Sequence, residues 1–212
     1  AKNKILYINN FNECIKNIIK NNEKKLEILK KHSIKFYNII CNLENSDGIT
    51  FIYSRFVEDC INKLIKILIV FGYNHLKKSN KEVESNSKNF VVLQGDNSRD
   101  IVSYINLINR NDNKNGEKIK IILGTPAIER GYSFFNVRSV HILEPWFNLS
   151  RINQIIGRAT RTFSHQQLED SKQNVTIYLH STKLIGKEQL TIDEERWIYS
   201  FLKKLQTIKI EQ

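Results

Sequence analysis

Residues 49–71, Ile49-Thr-Phe-Ile-Tyr-Ser-Arg-Phe-Val-Glu-Asp-Cys-Ile-Asn-Lys-Leu-Ile-Lys-Ile-Leu-Ile-Val-Phe71, change their hydrophobic period partway along. Ile49 to Tyr53 is a short run of β-branched and aromatic residues, which predicts a buried strand. From Phe56 onward, Val57, Ile61, Leu64, Ile65 and Leu68 return at steps of three and four, the mark of a helix with one apolar stripe. Gly72 ends that helix. The same alternation continues outward. Strands are predicted at Phe90–Leu93, Lys120–Leu123, Ser139–Leu143 and Asn174–His180. Helices are predicted at Asp100–Asn109, Asn148–Thr162 and Ile192–Lys209, with polar loops at Lys77–Asn89 and Asn111–Glu117. Upstream, Phe11–Asn42 reads as helix, and Gly48 closes it. Strands that alternate with helices argue for an α/β fold with an open, mostly parallel sheet. Strands that are apolar throughout argue for helices on both faces. The expected division is a helical lead-in over 1–32, the α/β domain over 33–185, and a C-terminal helix over 186–212.

The bulk composition narrows the partners. Hydrophobic residues are 41% of the 212, enough for a core. Lys plus Arg outnumber Asp plus Glu by 33 to 22, a net charge of +11. Such a surplus attracts phosphates. It is also what a Lys-, Asn- and Ile-rich composition from an AT-rich genome produces, and charge alone does not separate the two. Cys14, Cys41 and Cys60 form no CxxC pair and no zinc-ligand spacing. They read as reduced thiols of an intracellular protein. The longest apolar run, Ile67–Phe71, is far below membrane-spanning length, and no signal peptide is visible. The chain opens on Ala1 and contains no Met, which fits a domain excised from something longer.

Function must come from sites. In Gln154-Ile-Ile-Gly-Arg-Ala-Thr-Arg161, a helix would place Gln154, Arg158 and Arg161 on one face, at steps of four and three. Gly157 would let another surface approach. Two guanidiniums aimed from one face suit a transferring phosphoryl group, which gains from charge stabilisation. For an Arg-x-x-Arg pair in isolation, solvated surface arginines are the commoner case. Three further stretches occur upstream in a fixed order: Phe51-Ile-Tyr-Ser-Arg55 at a strand end, Leu93-Gln-Gly95 at another, and Gly124-Thr-Pro-Ala-Ile-Glu-Arg-Gly-Tyr-Ser133 after a third.

Taken together these stretches resemble motifs IV, V and VI of superfamily 2 helicases, from about Ser33 to the C-terminus. Val140-His-Ile-Leu-Glu-Pro-Trp-Phe-Asn148 and Ile156-Gly-Arg-Ala-Thr-Arg-Thr-Phe-Ser-His165 narrow the likeness to the helicase and transcription-factor ATPases of large cytoplasmic DNA viruses, of poxvirus, asfarvirus and mimivirus type. The resemblance implies a RecA-like domain, the second of two that clasp ATP. It implies DNA or RNA as partner, together with the N-terminal RecA-like domain of the same protein and viral transcription machinery. It also implies residence inside the cell, in the virion or the host cytoplasm, with no membrane partner. ATP and Mg2+ would be held mainly by the first domain, because no Gly-x-x-x-x-Gly-Lys-Ser/Thr occurs here. The chain alone is therefore expected not to hydrolyse ATP.

Residue by residue, the resemblance makes Arg161 the first choice for the arginine finger. Arg158 is its companion, and Gln154 positions the phosphate or the attacking water. Gly131, Glu129 and Ser133 match the nucleotide side of motif V, although Glu129 and Ser133 depart from its commoner residues. Ser54, Arg55, Gly95, Arg99, Thr125 and Pro126 match contacts to nucleic acid. Arg151 is read as orienting the motif VI helix. Trp146 and Phe147 fit either base stacking or packing against that helix, and packing is the commoner outcome just before an N-cap. His141 reads as a core histidine; His165 matches a family position of unassigned role. Lys77, Lys78, Lys81 and Lys88 read as a solvated charge run. Two competing readings stay open: a RecA-like scaffold without catalysis in a viral transcription complex, and an unrelated basic α/β protein that binds nucleic acid.

Overall fold

The computed structural model describes residues 2–77, 88–95, 98–184, 186 and 189–211; the side chains of 2–9, 98–100, 129, 130 and 209–211 lie outside that description. Three helices lead in: α1 (Lys2–Lys20), α2 (Lys25–His32) and α3 (Ile34–Asn45). The single helix predicted over Phe11–Asn42 is divided, because Ser33 takes an extended backbone and its side chain accepts from Phe36 N to cap α3. The remaining elements are β1 (Ile49–Tyr53), α4 (Asn62–Val70), β2 (Asn74–His75), β3 (Asn89–Leu93), α5 (Ser98–Ile108), β4 (Ile121–Gly124), β5 (Val137–Ile142), α6 (Leu149–Gly157), β6 (Thr176–Leu179) and α7 (Ile192–Glu211). The loop predicted over Lys77–Asn89 falls mostly outside the described residues.

All six strands are parallel, in the order β2-β3-β4-β1-β5-β6. The pleat sorts each central strand between two cores. Phe51, Val91, Ile122 and Val140 face α5 and α6, and Ile52, Phe90, Ile121 and Leu123 face α1 to α4. Helices therefore cover both faces, which is why these strands carry no polar alternation.

Two interior features set narrow tolerances. Gly124 ends β4, and a Cβ there would lie 2.6 Å from Phe51 Cε2 and 2.7 Å from Ile128 Cδ1. Gly124→Ala is expected to cost about 1–3 kcal/mol through overpacking, read as a shift in the urea midpoint at unchanged m-value. A cost below the error of that measurement would mean that Phe51 and Ile128 yield freely.

His141, read from the sequence as a core histidine, is buried in β5. Its Nδ1 lies 2.9 Å from His180 Nε2, and its ring stacks on Tyr178. Burial pushes His141 down to about 3 and His180 to about 4, from an ordinary 6.5. The unfolded chain thus takes up protons near 6.5 that the folded chain refuses. The stability of the pair is complete above that pH and is lost as pH falls toward 4, at about 2 kcal/mol per histidine by pH 5. The thermal midpoint should drop across this window, and His141→Asn should flatten the drop. An equally steep drop in that variant would place the effect elsewhere.

Candidate functional site

Parallel strands emerge on one side of the sheet. Gly95 follows β3, Thr125 follows β4, Ser54 and Arg55 follow β1, and Glu144 follows β5. These residues form the carboxyl rim, where open α/β sheets place their ligands. From that rim α6 runs back along the sheet for nine residues, about 13 Å. Its far end meets the segment leading into β5. The predicted site residues therefore fall into two zones, one at the rim and one at the far end of α6.

At the far end the helix stops earlier than predicted. It ends at Gly157 rather than Thr162. The Arg158 carbonyl accepts from Phe134 N at 2.8 Å, and Ala159 is drawn into the core. These partners outweigh continued helical bonding. The helical spacing between Arg158 and Arg161 therefore does not apply; Arg161 sits on a braced loop. Its carbonyl accepts from Ser164 N at 3.0 Å, and the Ser164 carbonyl accepts from Asn136 N at 2.9 Å. His165 clamps the same loop, with Nδ1 2.8 Å from Ser164 Oγ and Nε2 2.6 Å from the Val137 carbonyl. A carbonyl only accepts, so Nε2 carries the hydrogen and Nδ1 accepts from Ser164. Asn136 and Phe163 take the left-handed conformation that this path needs. The result is an exposed Arg161 on a rigid support.

Gln154 is exposed on α6. With Ile128, Arg151, Ile155 and Arg158 it lines a crevice of about 10 Å³, room for one water. A triphosphate would lie over this surface and not within it. The facing turn, Pro126–Arg130, is capped by Thr125 and ends on Gly131 at φ 102. Among the described residues, no atom beyond the adjoining ones lies within 4 Å of where a Gly131 Cβ would be, so backbone conformation calls for glycine here. Glu129 belongs to this turn, but its side chain lies outside the described residues. Ser133 is half-buried, and its carbonyl accepts from Asn109 Nδ2 at 2.9 Å.

At the rim two of the residues matched to nucleic-acid contacts have their hydroxyls engaged inside the fold. Ser54 is fully buried and its hydroxyl donates to Glu144 Oε1 at 2.8 Å. Thr125 is buried as well; its hydroxyl donates to the Leu93 carbonyl at 2.9 Å and accepts from Ala127 N. Buried hydroxyls need partners, and these have found them inside the fold. Pro126 and Gly95 remain exposed, Gly95 at φ 82. Arg99 lies in the first turn of α5, with its side chain outside the described residues.

Glu144 was not singled out from the sequence, although its place in Leu-Glu-Pro-Trp after a strand offered the signal. Burial raises its pKa, opposed by the Ser54 hydroxyl and the Cys60 thiol. Cys60 is itself pushed up to about 12, by burial first and then by the Glu144 charge. A π-helical turn, Val57–Ile61, brings Cys60 there, with the Phe56 carbonyl accepting from both Cys60 N and Ile61 N. Above this closed cluster lies Arg55. Its guanidinium carbon is 4.4 Å from the centroids of both Phe56 and Trp146, and Arg151 covers Trp146 at 4.5 Å. Trp146 thus packs against Arg151 of α6, in line with the expected packing on that helix, and against Arg55. Phe147 is half exposed.

Comparison with known proteins gives the family of the chain. Residues 24–163 match the family described as helicase conserved C-terminal domain. A protein of Acanthamoeba polyphaga mimivirus named as an ATP-dependent RNA helicase is 35% identical over 153 residues, 72% of this chain and 26% of its own length. A protein of Invertebrate iridescent virus 3 named as a helicase is 32% identical, over 75% of this chain and 17% of its own. A helicase of the killer plasmid pGKL-2 of Kluyveromyces lactis is 27% identical, over 82% of this chain and 29% of its own. The chain thus spans less than a third of the length of these relatives. Among solved structures, the C-terminal part of the Fun30 ATPase domain superposes with a TM-score of 0.50 at 17% identity, covering 80% of this chain and 53% of that one. That likeness concerns the fold, a RecA-like α/β sheet. Among the described residues no helix is long and apolar enough to cross a membrane. By sequence match and by fold, the chain belongs to the helicase conserved C-terminal domain family.

Proposed function

We propose that this chain is the second motor domain of an ATP-dependent superfamily 2 helicase or translocase, and that it lends Arg161 and Arg158 to an ATP site held mainly by a first RecA-like domain of the same polypeptide. The observation that carries this reading is the exposed Arg161 on its hydrogen-bonded loop, which continues the chain from Gln154 and Arg158 at the end of α6. A finger must reach outward without moving, and this loop is built for that. ATP with Mg2+ supplies the γ-phosphoryl group and its metal. Arg161 and Arg158 neutralise the charge that develops on that group, Gln154 positions the attacking water, and the Glu129–Ser133 loop with Gly131 lies along the nucleotide. At the rim, Pro126, Gly95, Arg99 and Arg55 meet the nucleic-acid backbone, and Ser54 and Thr125 hold the strand ends that carry them. Closing and opening of the cleft then moves the rim along the strand. The boundaries that go with this reading are 1–32 for the lead-in, 33–185 for the motor domain and 186–212 for the terminal helix.

The test is ATP turnover by the whole polypeptide with and without single- and double-stranded DNA and RNA. The reading expects turnover that at least one of these stimulates. No turnover with any of them would favour a scaffold that kept the fold without the chemistry.

A further inference from the structure

The arginine–aromatic stack at the rim extends past the residues of motif IV. From Phe56 it runs through Arg55, Trp146 and Arg151, with centroid distances of 4.4, 4.4 and 4.5 Å. Beside it a second pair forms between elements far apart in sequence. Arg196, in the first turns of α7, lies 5.1 Å over the ring of Phe147, which stands edge-on to Trp146 at 6.1 Å. Three guanidiniums, of Arg55, Arg151 and Arg196, are thus gathered around three aromatic rings, of Phe56, Trp146 and Phe147, near the acid Glu144. That acid is already engaged by Ser54 and the Arg55 backbone. Arg55 Nε is buried without a hydrogen-bond partner. Burial and the nearby Arg196 charge both lower the Arg55 pKa, so the cluster repels itself. Clustered guanidiniums attract phosphate. The aromatics differ in what they have left to offer. Trp146 already has two guanidiniums against its ring, whereas Phe147 is 50% exposed and Phe56 44%.

We infer that Phe147 and Arg196 form a stacking and phosphate subsite for single-stranded nucleic acid at the carboxyl rim, with Phe147 taking a base and Arg196 an adjoining phosphate. An exposed ring beside a cation meets both parts of a nucleotide without reading its sequence. A duplex keeps its bases stacked on one another and gives the ring nothing to hold. Trp146 spaces Arg55 from Arg151 and does not touch the base. α7, outside the motifs, thereby becomes part of the strand's path. This inference rests on the reading of the chain as a nucleic-acid motor domain.

The test is fluorescence anisotropy of the chain with labelled oligothymidylate about 20 nucleotides long, and with a duplex of the same length, across a salt series. Phe147→Ala should weaken single-strand binding about tenfold, leave duplex binding unchanged and leave the salt slope unchanged. Phe147→Trp should hold or raise affinity, a result no misfolded variant can give. Arg196→Ala should weaken binding and lower the salt slope by about 0.7, and Arg196→Lys should restore most of that slope. Wild-type affinity in Phe147→Ala and Arg196→Ala, or equal losses on strand and duplex, would overturn the subsite and leave the motor reading standing. No binding of either oligonucleotide by the unsubstituted chain would overturn the subsite, while the motor reading stands or falls on turnover by the whole polypeptide.

Discussion

Replacing Arg161 with alanine in the whole polypeptide is expected to lower nucleic-acid-stimulated ATP turnover by about a thousandfold, the lower end of what an arginine finger contributes. The expectation comes from where the residue stands. Arg161 is exposed, and the described bonds of its loop run through backbone and through Ser164, Asn136 and His165, not through its own guanidinium. Removing the side chain should therefore leave the fold within about 0.5 kcal/mol of its stability. Nucleic-acid affinity should also survive, because the rim is a helix length away. Arg161→Lys should recover little, since an ammonium lacks the planar fork that meets phosphate oxygens. The measurement is steady-state turnover beside anisotropy and thermal unfolding. Near-normal turnover would remove Arg161 from the catalytic site.

Phe134→Ala is expected to have the largest effect on stability, about 3–5 kcal/mol by urea unfolding. Phe134 is 0% exposed, and its ring lies 5.1 Å from that of Phe51 in the central strand. Its backbone N–H also donates to the Arg158 carbonyl, the bond that ends α6 and turns the chain toward Arg161. One residue thus joins the core to the loop that carries Arg161. Turnover should fall in this variant even at temperatures where it remains folded. A loss below about 1 kcal/mol would contradict the packing described for this segment.

Much of the fold could be read from sequence because its signals are local. The change of period within 49–71 marks β1 and α4 without help from the rest of the chain. β2 gave no signal, being two residues, Asn74 and His75, that are a strand only through their pairing with β3. The end of α6 was hidden for a related reason. Arg158-Ala159-Thr160-Arg161 continues a helix well by propensity, and what stops it is a hydrogen bond from Phe134, 24 positions upstream of Arg158. At the rim the residue types were legible but their directions were not. Ser54 and Thr125 stand where expected, yet both hydroxyls turn inward, to Glu144 and to Leu93. His165 had no assigned role until Val137 and Ser164 were seen on either side of its ring. Trp146 and Phe147 meet edge-on in the structure as neighbours in sequence, yet differ in exposure: Trp146 has two arginines against its ring and Phe147 is 50% exposed.

The central claim is that this chain contributes arginines to a catalytic site it does not complete. ATP turnover by the chain alone, measured beside turnover by the whole polypeptide with the stimulating nucleic acid, tests it most directly. The account predicts no hydrolysis above buffer for the chain alone, and stimulated turnover for the whole polypeptide that Arg161→Ala abolishes. Hydrolysis by the chain alone would contradict it.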